Sequence, residues 1–214
     1  MVVRQRYMAE LEEMNRNVIQ MSTLLEESIG KVIHALKNKD SEVAKRIIKD
    51  DDAIDEMERK IEAECITIIA KEQPVAKDLR RVTSIMRMIS DIERIADHCA
   101  DISEYIILLS KEDSIPMPKS VEQMLLKMKE MVVAVVDSFV NEDLEKSLWV
   151  KKEDDVVDDY FDRILQELCV EMKNNPEAIK QYAYMIMIIK YIERMADHAT
   201  NMSEWNAFII TGDL

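Results

Sequence analysis

Glycine is nearly absent from these 214 residues: two occur, beside four prolines. Hairpins and sheet corners draw on both, so a β-rich fold is disfavoured, and a glycine-built phosphate loop has nothing to be made from. The three cysteines, Cys65, Cys99 and Cys169, are odd in number, far apart and without CxxC spacing. They are expected to be buried free thiols in a cytosolic protein. With three histidines in the chain and no cysteine pair beside them, a dedicated zinc site is disfavoured too. Long apolar runs are missing. The stretch Ala183 to Ile189 stops at Lys190, well short of the roughly 18 residues that span a bilayer. The opening residues Met1 to Arg6 lead into a charged helical pattern with no signal-peptide core. Positive charge is in deficit, with 29 basic against 43 acidic residues and a formal net charge of -14. That sign argues against nucleic acid as a partner and against unaided adhesion to anionic lipid.

What is present is helical. Apolar residues make up 48% of the chain and recur at helical spacing. Leu11, Met14, Val18, Met21, Leu25, Ile29, Val32 and Leu36 mark a first helix, Met8 to Leu36. Asp40 and Ser41 read as turn or cap residues, and a second helix follows to about Ala70. Pro74 suits the first turn of a third helix that lasts to about Leu109. Ser110 to Ser120, with Pro116 and Pro118, is the one convincing break. The pattern then restarts: Val121 to Val140, a turn at Asn141 to Asp143, a fifth helix to about Met172, punctuation at Asn174 to Pro176, a sixth helix, and a fraying tail from Thr211 to Leu214. The expected fold is all-α, with six long helices forming two tandem pseudo-symmetric three-helix bundles, residues 1–112 and 117–214. Methionines such as Met185, Met187 and Met195 are expected to fill core gaps.

The chain writes one stretch twice: Asp91-Ile-Glu-Arg-Ile-Ala-Asp97-His98 and Tyr191-Ile-Glu-Arg-Met-Ala-Asp197-His198. At i, i+4 spacing Glu93, Asp97 and Asp101 line one helix face, and Glu193, Asp197 and Asn201 line the other. Like charges four apart repel, so solvation, basic neighbours or a bound cation must compensate. The middle helices carry a second echo, Asp51/Asp55 and Asp154/Asp158. Middle and last helices of a bundle are antiparallel neighbours, a geometry that permits Asp51/Asp55 to face Glu93/Asp97 and Asp154/Asp158 to face Glu193/Asp197. All-oxygen groups of this kind suit hard or borderline cations. The blander reading is a set of solvated charged faces; four repetitions of one spacing tip the balance toward metal. His98 and His198 point about 100° away from the preceding aspartates, so packing or hydrogen bonding is expected of them. Arg94 and Arg194 are expected to pair with acidic neighbours.

These residues resemble the PhoU family of phosphate-uptake regulators over nearly the whole chain. The resemblance rests on Gln73-Pro-Val-Ala-Lys-Asp-Leu-Arg80, Ser90 to His98 and Ile192 to Asn201, and on the acidic pairs. It implies two side-by-side three-helix bundles and a non-enzymatic cytoplasmic regulator, peripheral to the membrane only through its partners. Those partners would be the phosphate ABC transporter's ATPase and permease, a phosphate-responsive histidine kinase where one exists, and a second copy in a homodimer. It also implies metal at Asp51, Asp55, Glu93 and Asp97, and at Asp154, Asp158, Glu193 and Asp197, with Asp101 and Asn201 continuing the rows. Iron leads; manganese, magnesium, calcium and zinc are alternatives. Tyr191 stands where the first copy has Asp91, and Asn201 where it has Asp101, so a second site would be weaker. Asp78 to Arg81 has no counterpart in the second half. Two other readings stay open: a metal-binding helical oxidoreductase or iron-storage protein, and a helical adaptor with structural metal or none. Against the first, the Glu-x-x-His signature is missing, since Ala96 and Ala196 occupy the third position after each glutamate.

Overall fold

The computed structural model describes residues 2–113 and 115–213, with side chains from Arg6 onward. Seven α-helices are present among the described residues: α1 (Val2–Asn38), α2 (Ser41–Asp50), α3 (Asp52–Glu72), α4 (Lys77–Leu109), α5 (Lys119–Asn141), α6 (Leu144–Asn174) and α7 (Ile179–Thr211). Helices α2 and α3 are one helix bent at Asp51, whose backbone stays right-handed at φ -59 and ψ -39. With that pair counted once, the six long helices of the sequence reading are all there. The bend falls in Asp50-Asp51-Asp52, a run of poor helix formers whose like charges crowd one turn. Helices α1 to α4 form one three-helix bundle, and α5 to α7 form the other. The bundles meet mainly where α4 lies along α7, with α1 against α5 as a second seam.

The two bundles start alike because their local sequence signals are alike. Asp40 caps α2 by accepting the Glu42 and Val43 backbone N–H groups, and Asp143 caps α6 by accepting that of Lys146. The residue before each cap, Lys39 and Glu142, is left-handed at φ 51 and φ 50. In a chain so poor in glycine, other side chains take these positions at a cost of about 1 kcal/mol each. One expectation about a helix start needs correction. Pro74 is not in the first turn of the third long helix. Gln73 turns left-handed to end α3, Ala76 also has positive φ, and α4 begins only at Lys77. The sixth helix, α7, is preceded by a short 3-10 turn, Pro176–Ala178. Leu214, the last residue of the expected fraying tail, and Ser114, in the expected break, lie outside the described residues.

The core runs through both bundles and is aliphatic and methionine-rich, with Met14, Met21, Met88, Met124, Met128, Met131, Met185, Met195 and Met202 buried. Met187 is half-buried. Cys65 and Cys99 are buried, and burial pushes both thiols up to about 12. Cys169 is exposed, contrary to expectation, because it lies on the outer face of α6. No helix is long and apolar enough to cross a membrane among the described residues. Arg81, from the element without a counterpart, ties the bundles together. It donates to Glu142 at 2.7 Å, where Lys77 adds a longer contact, and its guanidinium lies over Phe139.

Candidate functional site

The bend at Asp51 sets the first acidic group. Packed against α4, Asp51 is half-buried and pushed up to about 6, first by burial and then by Asp97, Asp55, Asp52 and Asp101. Glu93 is pushed up to about 7 by burial and then by Asp97, with Glu58 and Asp55 adding repulsion and Arg94 opposing it. Glu58 is itself raised, by burial and by Glu62 and Asp55. The facing arrangement that the spacing permitted is therefore present, and Glu58 joins it. Its position, three residues after Asp55 on the same face of α3, is the sequence signal that marks it. Arg94 sits beside the group, 3.1 Å from Asp97 and 3.5 Å from Glu93.

The second group repeats the design between α6 and α7. Asp154 is pushed up to about 6 by burial, then by Asp158 and Asp197, with the Thr200 hydroxyl beside it pulling the other way. Asp158 and Glu193 are also raised, each by burial first and then by Asp197. One Asp154 carboxylate oxygen is buried with no hydrogen-bond partner among the described residues. The place of Glu58 is taken here by Phe161, which packs on the core. Arg194 makes no ion pair among the described residues, unlike Arg94, though it lowers the proton affinity of Glu193. Among the described residues no three histidine, cysteine or carboxylate side chains stand together closely enough to hold a metal ion.

Between the two groups lies the α4–α7 seam, where the ends of the acidic rows are spent. Eight residues along a helix turn a side chain by about 80° beyond two full turns, enough to swing it from one face toward another. Asp101 thus accepts from His98 Nδ1 at 3.1 Å, while still adding to the field at Asp51. Asn201 donates to Asp91 at 3.4 Å, across the seam. His198 Nδ1 lies 2.9 Å from the same Asp91 oxygen. Where the second copy has Tyr191 in place of Asp91, the tyrosine ring packs 5.2 Å from that of His98. Burial holds the His98 imidazole below its ordinary value, against the pull of Asp101. Both histidines therefore have the hydrogen-bonding and packing roles expected of them.

Two comparisons decide the family. The PhoU domain model matches residues 18–106 and again 121–205. A PhoU homolog from Clostridium acetobutylicum, a phosphate-specific transport system accessory protein, is 34% identical over 99% of this chain and 97% of its own length. The chain belongs to the PhoU family. A relative of the same name from Aquifex aeolicus is 36% identical over 86% of this chain and 84% of its own. The crystal structure of PhoU from Pseudomonas aeruginosa superposes with a TM-score of 0.93 at 32% identity, covering 97% of this chain and 100% of that one. The phosphate transport system regulatory protein PhoU from Streptococcus pneumoniae gives a TM-score of 0.90 at 29% identity, covering 97% and 98%. The paired three-helix bundles expected from the periodicity are the observed fold.

Proposed function

We propose that this non-enzymatic PhoU-type protein regulates phosphate uptake by contact with the phosphate ABC transporter on the cytoplasmic side. A phosphate-responsive histidine kinase would be a second target in hosts that have one. Its repeats would be residues 1–112 and 117–214, and it would act as a pair of copies. The observation that carries the reading is the end-to-end match to phosphate transport accessory proteins, which extends through both repeats.

Metal belongs to the same proposal. The donors are carboxylates throughout, as a hard or borderline cation such as iron, manganese, magnesium or calcium prefers. Asp51, Asp55, Glu93 and Asp97 would hold it in the first repeat, with Asp101 alongside. Asp154, Asp158, Glu193 and Asp197 would hold it in the second, with Asn201 at the margin. Two features support the fit: the raised carboxyl groups, which a cation would relieve, and the orphaned Asp154 oxygen. Because no trio among the described residues stands at ligating distance, the side chains would have to converge on the ion. When bound, the ion supplies positive charge that locks α2 and α3 to α4, and α6 to α7.

The test is binding of the purified protein to the purified transporter, with iron or manganese present and after chelation. Binding that weakens on chelation makes the acidic groups part of the regulatory surface. Binding indifferent to chelation keeps the regulator and removes metal from its mechanism. Failure to bind in either condition refutes the contact reading.

A further inference from the structure

The repeats also differ in a place neither acidic group touches. A groove of about 730 Å³ runs between the outer sides of α5 and α6. Leu126, Val133 and Trp149 line it, and all three are exposed, at 43%, 40% and 37%. Val140, 50% exposed, continues the stripe at seven-residue spacing along α5. Aligned on the capping residues Asp40 and Asp143, the same four positions of the first repeat are Thr23, Gly30, Lys37 and Arg46. The fold therefore builds this helix pair without apolar residues at those four positions. The second repeat carries them for another reason, and three such residues lining one cavity with a fourth continuing the stripe, a tryptophan among them, have the make-up of a binding hot spot.

The charges around the groove say what fits. Lys146 is bound to Asp137, and Lys127 to Glu130 and Glu153, with its ammonium 5.8 Å over the Trp149 ring. Three charged lining residues are held in no ion pair among the described residues: Asp143, which caps α6, and Glu145, both at the α5–α6 turn, and Lys129, toward the other end. We infer that the groove is a docking site for an α-helix of a protein partner, lying antiparallel to α5. Its positive N-terminal end sits over Glu145 and its negative C-terminal end over Lys129. Its apolar face, with residues at i, i+3 or i+4 and i+7, fills the space between Leu126, Val133 and Trp149. This rests on the reading that the protein works by contact with the phosphate transporter, and it assigns the contact to a cytoplasm-facing amphipathic helix of that complex.

The experiment measures affinity for the purified phosphate transporter in nanodiscs. It uses the wild-type chain, the double variant Leu126→Thr/Trp149→Arg, which installs the first repeat's residues, and Arg46→Ala as a first-repeat control. Thermal melting checks the fold of each, and Val133→Lys replaces the double variant should that one melt early. At least a tenfold loss of affinity in the groove variant alone is expected. Undiminished binding by that variant overturns the groove and leaves the regulatory reading standing. A wild-type chain that does not bind overturns both. A wild-type dimer that the same substitutions convert to monomer assigns the groove to a second copy and overturns the partner helix.

Discussion

The first acidic group is crowded and the second is pared down. Around Asp51 and Glu93 stand Asp55, Glu58, Asp97 and Asp101, with Arg94 as the neighbouring cation. Around Asp154 and Glu193 stand Asp158 and Asp197, with Thr200 at hand and a phenylalanine where Glu58 would be. Both groups raise their most buried aspartate to about 6, so one helix-on-helix frame sets the electrostatics of each. The extra carboxylates change the reserve of negative charge, which is greater in the first. A duplicated frame thus keeps the geometry constant while single substitutions grade the charge.

The largest test of that grading is cation binding. At a hundredfold excess over its dissociation constant, manganese or iron should stabilise the wild-type chain by about 3 kcal/mol per site in urea unfolding. Asp97→Asn should remove more of this than Asp197→Asn; equal losses would end the idea that the first group is stronger.

A proton contrast comes next. In Glu93 the folded value lies above the ordinary one, so the neutral form favours folding. That stability is full below about pH 4.5 and lost as pH rises through about 7. Glu93→Gln should therefore stabilise the protein by about 2 kcal/mol at pH 8 and by little at pH 4, with metal absent. Glu193→Gln should show the same sign and a smaller size, as chemical denaturation at the two pH values would reveal.

Smaller effects separate the seam. Asp91→Ala strips His198 of its partner and should cost about 1.5 kcal/mol, whereas Tyr191→Phe should cost well under 1 kcal/mol. Comparable losses in thermal melting would mean that the cross-seam pair is not special. Last come the caps: Asp40→Ala and Asp143→Ala should each cost about 1 kcal/mol, with Asp40, which holds two backbone N–H groups, slightly ahead.

Apolar periodicity carried most of the fold, because each long helix buries one stripe and six such stripes leave few ways to pack. Repetition pointed to the pairing of acidic rows, since one spacing written on neighbouring antiparallel helices permits them to face each other. Other features depended on information that a linear pattern does not hold. Pro74 favours a helix start by its own chemistry, but the left-handed Gln73 and Ala76 move the start to Lys77. The tilt that turns Asp101 and Asn201 toward the seam accumulates over two turns, and it matters only once α7 is known to lie against α4. Cys169 looked like its two buried namesakes because a thiol's composition signal is the same on either face of a helix.

The α4–α7 seam also bears on the order in which the molecule is made. Helix α7 leaves the ribosome after α4, α5 and α6, so α4 must wait for it while α5 and α6 are synthesised. The waiting side of α4 offers His98 and Tyr105, with Asp91 and Asp101; after α7 arrives, Tyr184 and Tyr191 close over Tyr105 at ring separations of 5.8 and 6.1 Å. Imidazoles, phenols and carboxylates tolerate water far better than a bare stripe of isoleucine would. The polar share of this surface lowers the cost of leaving it wet through the interval before α7 docks.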